Sequence, residues 1–171
     1  LDPGEDVDWA SVIATAEEVR SRLKDAGLSA FVKTSGGKGL HVVAPVKPKA
    51  EWPAVKAFTK AIADSMAADS PERFVSTIPK AKRHGKILID YLRNQRGMTA
   101  VAAYSTRARP GAPVSMPLAW EELAPEIGPA YFTTRNALAR LSSSADPWAD
   151  FRAAAAPIEA ERKKSKSPQR R

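Results

Sequence analysis

The chain has 171 residues, 43% of them hydrophobic, enough to bury the core of one domain. It contains no cysteine, which excludes a disulfide framework and a thiolate zinc site, and its apolar runs fall far short of the roughly 20 residues that a membrane-spanning helix needs. The net charge of +8 is uneven: residues 1–72 carry 9 basic against 11 acidic side chains and residues 73–171 carry 18 against 8, so the second part supplies a positive field suited to a polyanion such as nucleic acid.

Residues 9–26 set Trp9, Val12, Ile13, Ala16, Val19 and Leu23 at spacings of three and four, which predicts an amphipathic helix opened by Asp6 or Asp8 and closed by Gly27. Residues 29–34 and 40–45 read as strands, and the three glycines of the connection 35–39 suit a hairpin. Trp52, Val55, Phe58, Ile62 and Met66 mark a second helix, with Pro53 tolerated in its first turn. Residues 87–92 and 99–104 are predicted as strands, with Gly97 as the turn residue between them. Pro110, Pro113 and Pro117 exclude a regular helix from 106–118, which is expected to run extended over the surface. Short helices are expected at 119–124 and 133–141. Residues 161–171 hold no apolar side chain. The element order implies an α+β fold, a largely antiparallel sheet flanked by helices, formed by residues 1–155 and followed by a disordered basic tail over 156–171.

Ser35-Gly36-Gly37-Lys38-Gly39 offers unobstructed backbone N–H groups, a hydroxyl and an ammonium, a combination that can cradle a phosphate. It is not a Walker loop, because Lys38 is followed by Gly39 and a strand instead of Ser or Thr at a helix start. The same residues also suit an ordinary hairpin with a solvated lysine. Alternation allows His41 to share a face with the phosphate-binding groups of this loop, while a lone strand histidine more often has a structural role.

Asp90 lies in the apolar run Ile87-Leu88-Ile89-Asp90-Tyr91-Leu92. Buried and unpaired, its carboxylate would lose several kcal/mol of hydration, so it requires a cation, a set of donors or a wet face. Alternation puts it on one face with Leu88 and Leu92, a face open to solvent or to a charged site, and the neighbouring Arg83, Lys86, Arg93 and Arg96 favour the charged site. Asp2, read alone, equally serves an Asx turn before the first helix. The basic cluster Lys80-Ala81-Lys82-Arg83-His84-Gly85-Lys86 is either a phosphate-contacting loop or a solvated one, and Arg107 and Arg109 are of the same kind.

Leu1-Asp2-Pro3-Gly4, Ser35-Gly36-Gly37-Lys38-Gly39-Leu40-His41 and Ile87-Leu88-Ile89-Asp90-Tyr91-Leu92-Arg93-Asn94, in this order, resemble three motifs of the polymerase domain of bacterial DNA ligase D, within the archaeo-eukaryotic primase superfamily. The resemblance covers roughly residues 1–155. It implies a DNA-dependent primase-polymerase, a nucleotidyltransferase that fills gaps and extends ends with a preference for ribonucleotides during nonhomologous end joining, as part of an ATP-dependent ligase. It further implies two divalent ions, Mn²⁺ or Mg²⁺, at the catalytic carboxylates Asp2 and Asp90. A nucleoside triphosphate would be held by Ser35, Lys38, His41, Arg93 and Arg107, and DNA by Lys82, Arg83 and Lys86. The implied partners are DNA ends and gaps, ribonucleoside triphosphates, Ku and the ligase domain of the parent protein, with no membrane. The implied address is the bacterial cytoplasm, at the nucleoid.

The same resemblance marks departures. The family's first motif is Asp-x-Asp, and this chain, which has no initiator Met, begins one residue after the place of the first aspartate. The family's domain is also nearly twice as long. The chain is therefore expected to be the C-terminal half of such a domain and to show little or no polymerase activity alone. The competing expectation is a noncatalytic nucleic-acid-binding module, which needs the lysines and arginines but neither Asp2 nor Asp90.

Overall fold

The structure, a computed structural model, describes residues 1–77, 79 and 83–158. In chain order these form β1 (Asp2–Pro3), α1 (Trp9–Asp25), β2 (Phe31–Thr34), β3 (Leu40–Val43), α2 (Trp52–Asp69), β4 (Phe74–Val75), β5 (Ile87–Leu88), β6 (Pro117–Leu118), a 3-10 turn (Trp120–Glu122) and α3 (Ala137–Ser143). The fold is α+β, and all strand pairs but one are antiparallel.

Of the two candidate caps, Asp8 starts α1: its Oδ1 accepts the Ser11 N–H at 2.7 Å, and that bond holds its carboxyl below the usual range. The helix ends in a Schellman turn, in which Gly27 at φ +76° lets the amides of Gly27 and Leu28 reach the carbonyls of Lys24 and Leu23, both at 2.9 Å. The apolar stripe of α1 enters the core through Val12, Ala16, Val19 and Leu23, where it meets Val32, Leu40, Met66 and Phe74. Each of these side chains larger than alanine, once buried, contributes about 1.5–3 kcal/mol. At the rim Arg22 bonds Glu18 at 3.0 Å and Asp69 at 2.8 Å, joining the two long helices.

Two three-stranded sheets result, in the orders β1-β5-β4 and β3-β2-β6. Asp2 stands opposite Leu88, Lys33 opposite His41, and Val32 opposite Leu118. The sheets meet edge to edge, where the main-chain nitrogen of Leu1 donates to the Leu40 carbonyl at 2.7 Å. Gly39 makes this approach possible: a Cβ there would lie 2.1 Å from the Leu1 carbonyl oxygen.

Three expectations are corrected. Residues 99–104 form no strand: their small side chains bury little, the Val101 carbonyl is taken by the Lys33 ammonium, and Tyr104 turns at φ +64° to donate its N–H to Ser115. Residues 114–118 run extended but inside the protein, because β6 completes the sheet beside β2; Pro117 is tolerated on that edge strand, which needs no second ladder. The strand beginning at Ile87 stops at Leu88, beyond which Tyr91 closes a turn with Asn94. The two-residue strands β1 and β4 carry no periodicity by which they can be read in advance.

The chain continues into the fold past residue 155: the Ala156 N–H donates to Pro45, the Ala156 carbonyl accepts from Lys47 at 2.9 Å, and Ile158 packs on the core. The rest of the expected tail, residues 159–171, lies outside the described residues, as does Lys82.

The seam predicts a contrast between glycines. Gly39→Ala should lower unfolding stability by about 1–3 kcal/mol through overpacking. Gly128→Ala, where nothing lies within 4 Å of the new Cβ, should stay within about 0.5 kcal/mol of wild type. Equilibrium urea denaturation reads both, and equal midpoints would contradict the close approach.

Candidate active site

The hairpin between β2 and β3 is closed from within. Ser35 Oγ accepts the amides of Gly37 at 3.1 Å and Gly39 at 3.2 Å, and the Ser35 N–H donates to the Gly39 carbonyl at 3.0 Å. The expected phosphate nest is thereby altered, since two of its amides face the serine hydroxyl. That hydroxyl keeps one hydrogen to donate outward. Lys38 stands exposed at the tip.

Arg107 and Arg109 close over this loop. The bridge between Thr106 and Val114 and the bond from the Arg107 N–H to Pro113, 2.8 Å, bring the segment across. Arg107 Nη1 then donates to the Ser35 carbonyl at 2.9 Å. Gly36, at φ +62°, leaves room for it: a Cβ there would meet Arg107 Cγ at 2.8 Å.

Beneath the loop Lys33 and His41 are cross-strand partners and share a face. Lys33 is buried, and its ammonium donates to the Val101 carbonyl at 2.9 Å and to Ser115 Oγ at 2.6 Å. Neither partner cancels its charge. Burial, helped by Arg107, brings its pKa down to about 8. Ser115 Oγ passes its own hydrogen to the Thr34 carbonyl at 2.8 Å, and Thr34 Oγ1 accepts the Met116 N–H at 2.9 Å, so the lysine is part of a buried polar knot. His41 is half-buried, and its pKa is lowered to about 3 by burial first, then by Lys33, the Leu1 amine, Arg107 and Arg93. The imidazole is neutral in a field of cations.

The carboxylates lie across the seam. Asp2 is half-exposed, and its Oδ2 takes Arg83 Nη1 at 2.9 Å. Asp90 is exposed, and its Oδ1 accepts the Leu92 N–H at 3.0 Å, so of its open alternatives the wet face is the one adopted. Asp2 stands opposite Leu88, and Asp90 follows two residues later, just past the end of β5. The two carboxylates are hard oxygen donors of the kind Mg²⁺ or Mn²⁺ takes. Among the described residues, however, no three His, Asp or Glu side chains converge on one point, and Asp2 is already engaged by an arginine. The pair fits part of a divalent-ion site and falls short of a whole one.

Other expected residues are placed differently. Arg93 donates Nη1 to the Thr99 carbonyl at 2.7 Å while remaining in the field of His41. Lys86 Nζ is directed away, to the Pro71 carbonyl at 2.7 Å. Lys33 was not among the expected site residues, and Arg109 was expected only as either a phosphate contact or a solvated side chain. The signal for Lys33 is the hairpin register, which sets it opposite His41. Arg109 has no such signal, because its placement depends on how residues 106–114 fold back.

The chain matches the family model described as LigD, primase-polymerase domain, over residues 1–148. It is 43% identical over 153 residues to the multifunctional non-homologous end joining protein LigD of Pseudomonas aeruginosa, covering 88% of this chain and 18% of that protein. To the bifunctional non-homologous end joining protein LigD of Bacillus subtilis it is 32% identical over 152 residues, covering 88% and 25%. The polymerase domain from Mycobacterium tuberculosis ligase D, solved in complex with DNA, aligns with a TM-score of 0.83 at 32% identity, covering 90% of this chain and 53% of that one. The chain thus spans about half of the solved domain and a quarter or less of these two curated relatives.

The buried bases predict two pH windows. Below pH 6.5 the unfolded imidazole of His41 binds a proton that the folded one refuses, so its contribution lowers stability as pH falls from 6.5 toward 3, by up to about 1.4 kcal/mol per pH unit. A His41→Asn variant should show a shallower loss of stability between neutral pH and the onset of acid unfolding. Lys33 acts on the alkaline side: folded, it releases its proton near pH 8, so stability should rise from there toward 10.5, and this rise should be absent in Lys33→Met. Urea midpoints across pH check both, and parallel curves would refute the environments described.

Proposed function

The chain belongs to the LigD primase-polymerase family, and from that premise we propose that it forms part of a DNA-dependent nucleotidyltransferase that fills gaps and extends DNA ends in nonhomologous end joining. The observation that carries this reading is the juxtaposition across the β1–β3 seam of two carboxylates and a cationic pocket. Nucleotidyl transfer requires positive charge for the departing pyrophosphate and, next to it, an acidic place where the attacking hydroxyl is oriented.

In this reading the Ser35 hydroxyl, Lys38, Arg107 and Arg93 hold the triphosphate, and His41 donates a ring N–H to it. Lys33 stays in place below as a fixed positive charge. The arriving phosphates offset the cations that keep His41 neutral, so nucleotide binding draws its pKa upward. Divalent ions, Mn²⁺ or Mg²⁺, when bound at Asp2 and Asp90, supply activation of a 3′-hydroxyl and neutralisation of the developing charge. Continued by two residues beyond the Asp2–Leu88 pair, the β1–β5 register would set the position before Leu1 opposite Asp90, where the family's first motif has an aspartate. A carboxylate there would complete the donor set, and without it the 171-residue chain is expected to be inactive. Preference for ribonucleotides, DNA handling by Arg83, Lys86 and Lys82, cooperation with Ku and a ligase domain, and work in the bacterial cytoplasm at the nucleoid belong to the same proposal.

A second reading, a noncatalytic nucleic-acid-binding module, is favoured by one observation: Asp2 is occupied by Arg83.

Primer extension on gapped DNA with Mn²⁺ and ribonucleotides separates the two. A chain extended upstream should incorporate nucleotides and this chain should not; in the extended chain Asp90→Asn should abolish extension, and Lys38→Ala should raise the KM for nucleotide about tenfold, as expected when a charge-assisted contact worth about 1.5–3 kcal/mol is lost. Salt-sensitive DNA binding without extension by either chain would overturn the polymerase reading in favour of the module.

A further inference from the structure

Three of the four tryptophans are anchored through the indole N–H: Trp9 to the Ile127 carbonyl at 2.9 Å, Trp120 to Ala30 at 2.8 Å and Trp148 to Val32 at 3.1 Å. Trp52, in the first turn of α2, is 50% exposed, and its indole has no hydrogen-bond acceptor among the described residues. One turn further, Lys56 donates Nζ to Gln95 Oε1, and a turn beyond that Lys60 lies over the Tyr91 ring, 5.9 Å from its centre. Tyr91 follows Asp90 directly. One face of α2 therefore runs from an exposed aromatic platform, past two lysines, to the carboxylate end of β5, about 12 Å from Trp52 to Lys60 along the helix. Exposed Lys49 precedes Trp52 by three residues in the chain, and exposed Arg96 follows Gln95, the partner of Lys56. The carboxylates of this face are Glu51 at the helix start and Asp64, which is paired with Lys60. Its net charge is positive.

The position of this face matters as much as its charge. β1 and the hairpin flank β5 on one side, and β4, with α2 packed on it, flanks it on the other. In an in-line displacement the attacking oxygen and the leaving pyrophosphate lie on opposite sides of the reacting phosphorus. A triphosphate held at the hairpin thus requires the 3′ end to approach Asp90 from the α2 side.

We propose that the Trp52–Lys56–Lys60 face of α2, continued by Lys49 and Arg96, seats the nucleic-acid strand whose 3′ end is to be extended, with Trp52 stacking on a base and the lysines following the phosphates. The strand's role as primer rests on the polymerase reading; its affinity for this face does not.

The test is titration of the 171-residue chain with a short oligothymidylate, read by anisotropy of a 5′ label and, without the label, by tryptophan emission. Binding should quench emission in the wild type. Trp52→Ala should remove the quench and weaken binding about 5- to 150-fold, the usual range for one lost base–aromatic stack. Lys56→Gln should reduce the slope of log affinity against log salt by about 0.7. Far-UV circular dichroism checks that both variants fold. If both bind within twofold of wild type with unchanged salt slope, the inference is overturned. It is overturned equally if the upstream-extended chain shows Trp52 emission shifted to the blue and insensitive to oligonucleotide, since the face is then a protein contact. Failure of the polymerase reading looks different: no primer is extended, yet oligonucleotide affinity still depends on Trp52. If the extended chain extends primers and Trp52→Ala does so with wild-type efficiency, this inference falls and the polymerase reading stands.

Discussion

Everything that makes a site of this molecule depends on the backbone contact between β1 and the β2–β3 hairpin. Leu1 reaches Leu40 through one main-chain hydrogen bond, and the Leu1 carbonyl sits where only a glycine at position 39 allows it. A contact of this kind is held by the rest of the fold, because one hydrogen bond contributes only about 0.5–1.5 kcal/mol. The cores under both sheets supply that support, with α1 packed beneath the hairpin and α2 beneath β4. Two small sheets that are individually too short to be stable become one surface, with carboxylates on one side of the seam and cations on the other.

The cationic side is expensive in the absence of a ligand. Lys33 is buried against a carbonyl and a hydroxyl, and His41 is denied its proton by burial and by the charges around it. Protein interiors ordinarily pair such charges, and in the proposed function the incoming triphosphate would supply the missing partner. The Thr34–Ser115 knot keeps Lys33 from escaping to solvent and at the same time fixes the segment that returns Arg107 to the loop. Stability and ligand readiness are thus set against each other within a few residues of β2.

The described surface also has a direction. The hairpin and its arginines lie beyond β1, and α2 lies beyond β4, so Asp90 at the end of the central strand looks both ways. The proposed displacement reaction would use such two-sided access, with one partner arriving from each flank.

How far the sequence reads ahead of the structure differs by residue type. The 3.6-residue periodicities of α1 and α2, the cap and stop at Asp8 and Gly27, the glycine hairpin and the three motif segments are local facts, and they determined the α+β class, the family resemblance and the set of candidate site residues. Residues 99–104 misled, because alternation without bulk satisfies the pattern of a strand but buries too little to form one. Lys33 went unnoticed, and Arg109 and Asp2 were ambiguous, for a common reason: each owes its surroundings to a segment distant in the chain, Val101 and Ser115 for Lys33, the hairpin loop for Arg109, Arg83 for Asp2. The sequence by itself determined which groups are available. Only the tertiary structure decided which of them share a dielectric and a line of approach, because burial and charge proximity are properties of the packed chain and have no counterpart in its local pattern.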